Sequence, residues 1–196
     1  MIAIIDYGAG NLTSVVKAIR HLGEDCAVTA DASQIARADK LIIPGVGNFK
    51  ATEALARGAL ARELQYALRE KKLLLGICLG LQWMFEGSEE ARELRGLGAF
   101  PGICTRFSDR VKSPHVGWNR IEVEPRSALL RGIPSGTYVY FTHSYRAPLC
   151  EDTVAACTYE APFAAAVERG NFFGVQFHPE KSGDAGLHIL ENFCAL

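Results

Sequence analysis

The chain has 196 residues, of which 48% are hydrophobic and 22% charged, a size and composition typical of one globular domain with a substantial core. Its formal net charge of −1 gives no basic surface for nucleic acid or an anionic membrane. No apolar run approaches the ~18 residues of a membrane-spanning helix, and we expect no secretion signal because the start lacks a cationic segment and a cleavage site.

Apolar strands and amphipathic helices alternate over the first 90 residues. The predicted strands are Ile2–Asp6, Asp25–Thr29, Lys40–Ile43 and Leu73–Ile77. The predicted helices are Leu12–Leu22, Glu53–Arg57, Leu60–Glu70 and Leu79–Glu86. Strands that are mostly apolar and separated by helices predict a parallel sheet that is covered on both faces.

From about Gly98 the pattern changes to short strand-like runs separated by Pro, Gly and Asn. The predicted strands here are Gly102–Phe107, Gly117–Val123, Thr137–Phe141, Ala147–Leu149, Thr153–Glu160, Ala164–Glu168 and Phe172–Phe177. A last helix is predicted over Gly186–Cys194. The expected fold class is therefore α/β, an open and mainly parallel sheet flanked by helices with an antiparallel extension, in a single domain over residues 1–196.

The six cysteines contain no C-x-x-C pair, the spacing typical of zinc sites and thioredoxin-like motifs. An even number could indicate disulfides in a small secreted protein, but this chain is too long and too rich in core residues for that class. We expect free thiols in a reducing cytoplasm, with no metal and no other cofactor. The cysteines are Cys26, Cys78, Cys104, Cys150, Cys157 and Cys194.

Cys78 stands between an apolar strand and a predicted helix, with Gly76 and Gly80 two residues to either side. This G-x-C-x-G string is the thiol counterpart of the G-x-S-x-G nucleophile elbow, in which glycines let strand and helix backbones nearly touch. The positive end of the helix favours a thiolate. The alternative for this window alone is a buried structural cysteine.

His178 is a candidate base for Cys78. It ends an apolar strand, at the edge where open α/β sheets bind ligands, and Pro179 favours an extended conformation for it. Residues two apart in an extended chain point to one side, so Glu180 is expected beside His178. Alone, the pair could be a surface ion pair, but together with an elbow cysteine it indicates nucleophilic acyl transfer.

Acyl transfer also needs donors for an oxyanion. The backbone N–H of Leu79, just after the nucleophile, is one candidate. A second source is the segment Gly45, Val46 and Gly47, whose two glycines free the backbone to turn its N–H groups toward a ligand. The alternatives for this segment are a phosphate-binding loop, although the Lys-Ser/Thr of a P-loop is missing, or an ordinary turn.

Two of these strings resemble a known family. Gly76–Gln82 and Gln176–Glu180 resemble the Cys-His-Glu triad motifs of class I glutamine amidotransferases, which have a flavodoxin-like fold. Other strings resemble, within that family, the glutaminase subunits of imidazole glycerol phosphate synthases. They are Ile5–Leu12, Pro44–Gly47, Phe85–Glu90, Pro114–Asn119, Tyr140–Tyr145 and His178–Gly183, so the resemblance spans nearly the whole chain.

The resemblance implies a glutaminase mechanism. Cys78 would attack the side-chain amide of L-glutamine, His178 would protonate the leaving ammonia and then activate water, and Glu180 would orient His178. The oxyanion hole would be Leu79 together with Gly45, Val46 or Gly47. The implied substrate-binding residues are Gln82, Glu90, Thr142, His143 and Ser144.

The resemblance also implies a heterodimer with a (β/α)8 cyclase subunit, which receives the ammonia and makes imidazole glycerol phosphate and aminoimidazole carboxamide ribotide in histidine biosynthesis. No nucleic acid or membrane partner is implied. The expected interface residues are Asn11, Ser14, Trp118, Tyr140 and Lys181. The alternative for Trp118 is a core aromatic residue, and for Lys181 and Asn11 a solvated surface.

The two glycines of Pro44–Gly47 suggest a switch that keeps an oxyanion donor turned away until the partner docks. Two competing functions stay open at this point. One is a glutaminase of the same class that serves another synthase. The other is a non-enzymatic protein in which Cys78 is a redox-sensing thiol.

Overall fold

An eight-stranded sheet forms the centre of the computed structural model, which describes residues 1–196. The strands are β1 (Ile2–Ile5), β2 (Cys26–Thr29), β3 (Lys40–Gly45), β4 (Leu73–Cys78), β5 (Gly87–Ser88), β6 (Ile103–Arg106), β7 (His115–Arg120), β8 (Glu122–Val123), β9 (Tyr138–His143), β10 (Tyr145–Arg146), β11 (Thr153–Thr158), β12 (Pro162–Arg169) and β13 (Phe172–Val175). The α-helices are α1 (Leu12–His21), α2 (Ala32–Arg37), α3 (Glu53–Ala56), α4 (Gly58–Arg69), α5 (Leu79–Met84) and α6 (Gly183–Ala195). Three 3-10 helices cover Phe49–Thr52, Glu89–Ala91 and Pro179–Lys181.

The central sheet has the order β2-β1-β3-β4-β13-β12-β11-β8. Its first five strands pair in parallel, and β12, β11 and β8 extend it antiparallel. The predicted fold class is confirmed. Because β4 lies between β3 and β13, Cys78 at the end of β4 is flanked by the ends of both neighbours, which is where ligands bind in such sheets.

The strands are apolar because both faces of the sheet are covered. Alternate residues of β1 enter two different core clusters, with Ile2 and Ile4 in one and Ala3 and Ile5 in the other. The first cluster includes residues of α1 and α6, and the second includes residues of α2 and α4. None of the helices has both the length and the apolar composition needed to cross a bilayer.

Strands β7 and β9 form a separate two-stranded antiparallel ribbon, called the ribbon below. Its inner face is buried through residues such as His115, Phe141 and His143. Its outer face carries exposed Val116, Trp118 and Tyr138. The ribbon therefore closes one side of the molecule and presents an apolar outer surface.

The structure corrects two predicted elements and adds one helix. Ala147–Leu149 is not a strand: the chain pairs with β6 only over Tyr145–Arg146, and Pro148 has no N–H to continue that ladder. Gly117–Val123 is divided between β7 and β8, with Ile121 buried at the break. Helix α2 was not predicted, because only Ile35 of its six residues is buried and the short apolar pattern is too weak to recognise.

Candidate active site

Cys78 has a strained backbone, with φ 54° and ψ −101°. Such a conformation is rare for a residue other than glycine, and it persists only where the surroundings enforce it. A Cβ on Gly80 would lie 1.9 Å from the carbonyl oxygen of Ile43, and a Cβ on Gly76 would lie 2.6 Å from the carbonyl carbon of Gly80. Strand β4 and helix α5 thus approach as closely as a nucleophile elbow requires.

Cys78 is 5% exposed, and its sulfur has the imidazole of His178 and two further polar groups as neighbours. Its Sγ lies 3.8 Å from the carbonyl oxygen of Thr142 and 3.6 Å from Nε2 of Gln176. The amide of Gln176 donates to the sulfur. Gln176 received no role from the sequence, although it lies two residues before His178 on an extended segment, and that spacing places both on one side.

The imidazole of His178 and the carboxylate of Glu180 are paired in the interior. Nδ1 lies 2.8 Å from Oε1 of Glu180, and both side chains are 1% exposed. Burial lowers the pKa of His178, but the neighbouring Cys78 sulfur and Glu180 carboxylate outweigh burial and raise that pKa to about 9. His178 Nε2 makes no well-aligned hydrogen bond within the protein, so it is available for proton transfer.

The backbone that joins His178 to Glu180 differs from the prediction. His178 is extended, with φ −102° and ψ 97°, but Pro179–Lys181 forms a turn of 3-10 helix. This turn, and not a continuous extended chain, brings the carboxylate back to the ring. The main chain of His178 is fixed by three hydrogen bonds: its N–H donates to the carbonyl of Tyr140 (2.8 Å), and its carbonyl accepts from the hydroxyl of Ser182 (2.7 Å) and from the N–H of Lys181 (3.0 Å).

A cavity of about 190 Å³ opens beside the thiol. It brings together most of the residues that the sequence assigned to the oxyanion and the substrate, namely Val46, Gly47, Leu79, Gln82, Glu90, Thr142, His143 and Ser144. Gly45 does not line the cavity but is the register partner of Cys78 across β3 and β4. Tyr145 and Pro114 complete the wall and were not among the predicted site residues.

Two side chains leave oxygen atoms for a ligand in this cavity. Gln82 Nε2 donates to the carbonyl of Tyr145 (2.8 Å) and to Oε1 of Gln176 (3.3 Å). The side-chain oxygen of Gln82, Oε1, is left without a partner. Glu90 accepts from the backbone N–H of Phe49 through Oε2 (2.6 Å) and keeps its other oxygen. An amide acceptor and a carboxylate suit a ligand that carries N–H groups and an ammonium group.

A buried pair of histidines lies behind the cavity wall. His143 Nδ1 must donate to the carbonyl of Tyr145 (2.8 Å), so its Nε2 accepts from Nδ1 of His115 (3.1 Å), and His115 Nε2 accepts from Asn119 (3.4 Å). Burial lowers the pKa of His115 to about 4 and that of His143 to about 3. Both rings are neutral at pH 7, and His143 has no ring nitrogen left for a substrate.

Trp118, Tyr140 and Lys181 form one group on the outer face of the molecule. Trp118 is 55% exposed, so it is not a core residue. Its ring meets that of Tyr140 edge-on at 6.1 Å, and Lys181 Nζ lies 5.8 Å from the centre of the Tyr140 ring. Asn11 donates to Ser14 (2.8 Å), and both are partly buried.

The structure contains no disulfide and no group of side chains placed to form a metal site. All six cysteines are free. No group of three or more His, Cys, Asp or Glu side chains is placed to hold a metal ion.

Comparison with known proteins agrees with this geometry. The family model for class-I glutamine amidotransferases matches residues 3–196. The chain is 46% identical over 195 residues to the imidazole glycerol phosphate synthase subunit HisH of Bacillus cereus (strain AH187), covering 98% of this chain and 93% of that protein. The corresponding HisH subunit of Bacillus anthracis is 45% identical over the same shares of both chains.

Among solved structures, a glutamine amidotransferase superposes with a TM-score of 0.77 at 19% identity and covers 99% of this chain and 100% of its own. At this identity the likeness shows the fold. The family match and the 46% identical relative show more: the chain belongs to the class-I glutamine amidotransferases and, within them, to the HisH subunits of imidazole glycerol phosphate synthase.

Proposed function

We propose that this chain hydrolyses L-glutamine to L-glutamate and ammonia and delivers the ammonia to a cyclase subunit of imidazole glycerol phosphate synthase, in histidine biosynthesis. The chain acts as one domain over residues 1–196, in a heterodimer and without a cofactor. The six free thiols accord with a reducing cytoplasm as its location. The main support is that the elbow cysteine lines this cavity, while its sulfur and the buried carboxylate of Glu180 both neighbour the imidazole of His178.

In the first half-reaction, the Cys78 thiolate attacks the side-chain amide carbon of glutamine. The negative charge that forms on the amide oxygen is stabilised by the N–H of Leu79 and by an N–H of Gly45–Gly47. The His178 imidazolium gives its proton to the departing nitrogen, the C–N bond breaks, and ammonia leaves. A γ-glutamyl thioester on Cys78 and a neutral His178 remain.

In the second half-reaction, neutral His178 takes a proton from water as the water oxygen attacks the thioester carbon. The C–S bond breaks, glutamate leaves, and the thiolate–imidazolium pair is restored. Glu180 holds the ring so that Nδ1 faces the carboxylate and Nε2 faces the reacting atoms. Gln82 and Glu90 bind the amino-acid end of the substrate, and Thr142, His143 and Ser144 form the opposite wall through their backbone.

The partner docks, in this proposal, on the outer surface that holds Trp118, Tyr140 and Lys181, with Asn11 and Ser14 at its margin. Docking turns the Pro44–Gly47 segment so that it completes the oxyanion hole. A missing oxyanion donor costs about two to three powers of ten in rate. The isolated chain should therefore hydrolyse glutamine at least ~100-fold more slowly than the ligand-bound complex, and equal rates would refute the switch.

The function is tested by a Cys78→Ala substitution in the complex with a cyclase subunit of imidazole glycerol phosphate synthase. Glutamine-dependent product formation should vanish, while synthesis from added ammonium salt should persist because the acceptor site lies on the partner. The matched control is Cys194→Ala, which removes a partly buried thiol in α6 and should leave both activities intact. Retention of glutaminase activity by Cys78→Ala, or stimulation of the wild type only by a different synthase, would contradict the proposal.

A further inference from the structure

The hydroxyl of Tyr7 is a buried donor that no protein atom accepts. Tyr7 is 7% exposed, and its Oη makes no hydrogen bond. Burial, with the nearby Cys78 as a smaller cause, raises the pKa of Tyr7, so the hydroxyl keeps its proton. An unpaired buried hydroxyl is unfavourable, and folded proteins keep few of them without a functional reason.

The hydroxyl lies directly against the backbone of Gly45. A Cβ built on Gly45 would lie 2.2 Å from Tyr7 Oη and 2.6 Å from Cβ of Leu79. Gly45 in turn is the register partner of Cys78. The Tyr7 side chain therefore reaches the start of the segment that is expected to supply an oxyanion donor, and only glycine at position 45 leaves room for it.

Tyr7 does not reach the substrate itself. Val46 and Gly47 line the cavity next to Cys78, whereas neither Tyr7 nor Gly45 does. The hydroxyl lies against Gly45, outside the lining of the cavity. Because it touches the backbone of Gly45 and not the substrate cavity, Tyr7 is placed to act as a positioning residue.

The loop that carries Tyr7 also packs along this segment. Gly8 N–H donates to the carboxylate of Asp6 (3.0 Å), which shapes the turn after β1. Gly10 adopts φ +131°, and a Cβ there would lie 3.3 Å from the carbonyl oxygen of Pro44. Asn11, one residue later, belongs to the proposed partner surface. The loop therefore lies between that surface and the oxyanion segment.

We propose that the Tyr7 hydroxyl donates a hydrogen bond to a backbone carbonyl of Gly45–Gly47 when this segment turns an N–H toward the substrate oxyanion. The N–H and C=O of a peptide unit point in opposite directions, so turning the N–H into the cavity turns the carbonyl away from it, toward the Tyr7 side. The turned state then satisfies a donor that the present state leaves unpaired. This inference rests on the proposed function, because it assumes that the segment serves an oxyanion.

The test is a Tyr7→Phe substitution, which removes only the hydroxyl oxygen, compared with Tyr66→Phe on the exposed side of α4 as the matched control. In the complex with the cyclase subunit, Tyr7→Phe should lower kcat for glutamine hydrolysis about tenfold, the effect of one hydrogen bond. The midpoint of thermal unfolding of the isolated chain should rise by about 3 °C, because an unpaired buried hydroxyl is lost. Tyr66→Phe should change neither quantity.

Alkylation of Cys78 by iodoacetamide distinguishes an effect on the Gly45–Gly47 segment from an effect on the nucleophile. The reaction is followed on the Cys78 peptide by mass spectrometry. This reaction needs the thiolate but no oxyanion hole, so its rate in Tyr7→Phe should equal that of the wild type. A parallel loss of alkylation and hydrolysis would overturn the inference, because Tyr7 would then act on the thiol. Unchanged hydrolysis in Tyr7→Phe beside an active wild type would overturn this inference alone. A wild-type complex that forms no glutamate would overturn the proposed function as well.

Discussion

His115 donates through Nδ1 to Nε2 of His143 at 3.1 Å, inside the molecule between the ribbon and the cavity. The pKa values of about 4 and about 3 lie below the ~6.5 of an unfolded histidine. Below pH 6.5 the unfolded chain therefore binds more protons than the folded one. The pair stabilises the fold above pH 6.5, and this contribution is lost as the pH falls toward 4.

The first prediction concerns this loss of folding stability at acid pH. A His115→Gln substitution keeps one donor and one acceptor but removes one titrating ring. The free energy of unfolding should then fall less steeply between pH 6.5 and 4, by up to about 1.4 kcal/mol per pH unit. Denaturant unfolding at several pH values measures it, with the exposed His188→Gln as the control for loss of an imidazole. Identical pH dependence of the free energy of unfolding in the wild type and His115→Gln would contradict the assignment of neutral, hydrogen-bonded rings to His115 and His143.

Glu180→Gln should move the alkaline limit of catalysis. The Cys78 sulfur and the Glu180 carboxylate together hold the pKa of His178 at about 9, so the ring can protonate ammonia up to that pH and loses this ability above it. Without the carboxylate the pKa of His178 falls, and the alkaline limb of kcat/KM should shift to lower pH. The maximal rate should drop by about 10²- to 10⁴-fold, as when the acid of a Ser-His-Asp triad becomes an amide.

The pH–rate profile between pH 6 and 10 measures both effects of Glu180→Gln. Glu191→Gln, an exposed acid on α6, serves as the control and should follow the wild type. A Glu180→Gln profile that is lower in rate but unmoved in pH would mean that the carboxylate does not set the protonation of His178.

Gly80→Ala should damage the elbow itself. The new Cβ would lie 1.9 Å from the Ile43 carbonyl oxygen, a backbone atom that cannot move without shifting β3. We expect a loss of about 3 kcal/mol in the free energy of unfolding, at the upper end for overpacking, together with loss of glutaminase activity. Gly87→Ala is the control, since its Cβ would meet nothing closer than 3.3 Å. A Gly80→Ala variant as stable as Gly87→Ala would show that the strand and helix are less closely packed.

Trp118→Ala should weaken docking of the cyclase subunit without affecting the fold. The side chain is 55% exposed and contacts Tyr140, so truncation leaves no cavity in the core. A buried aromatic anchor at an interface contributes about 2 kcal/mol or more, which corresponds to a Kd at least ~30-fold higher. Titration of the partner measures it, and Tyr66→Ala on α4, 50% exposed, is the control. An unchanged Kd would place the partner elsewhere.

The parallel half of the fold could be predicted from the sequence because its strands are continuous apolar runs. Stretches such as Lys40–Ile43 and Leu73–Ile77 bury both faces, and the helices between them have clear apolar stripes. The antiparallel half was less predictable. Ala147 and Leu149 read as an alternating strand, but Pro148 ends the pairing, and the ribbon could not be separated from the central sheet by periodicity alone.

The candidate site shows the same division. Cys78 could be placed because strand, turn and helix are adjacent in the sequence, and His178 because it ends a strand. The roles of Gln176, His115 and Tyr7 depend on contacts between distant segments, such as the 3.6 Å approach of Gln176 to the Cys78 sulfur. The sequence does not predict the 3-10 turn that returns Glu180 to His178, because a proline after an extended residue is compatible with a continuing strand as well as with the start of a helical turn.

Strand β9 contributes both to the outer surface and to the position of His178, through the same residue. Its outward side chain at Tyr140 belongs to the group around Trp118, and the carbonyl of the same residue accepts the N–H of His178. The ring at the outer surface and the carbonyl that holds the main chain of His178 thus belong to one residue, with no side chain between them. A substitution that shifts the main chain of Tyr140 would therefore alter the outer surface and the position of His178 together.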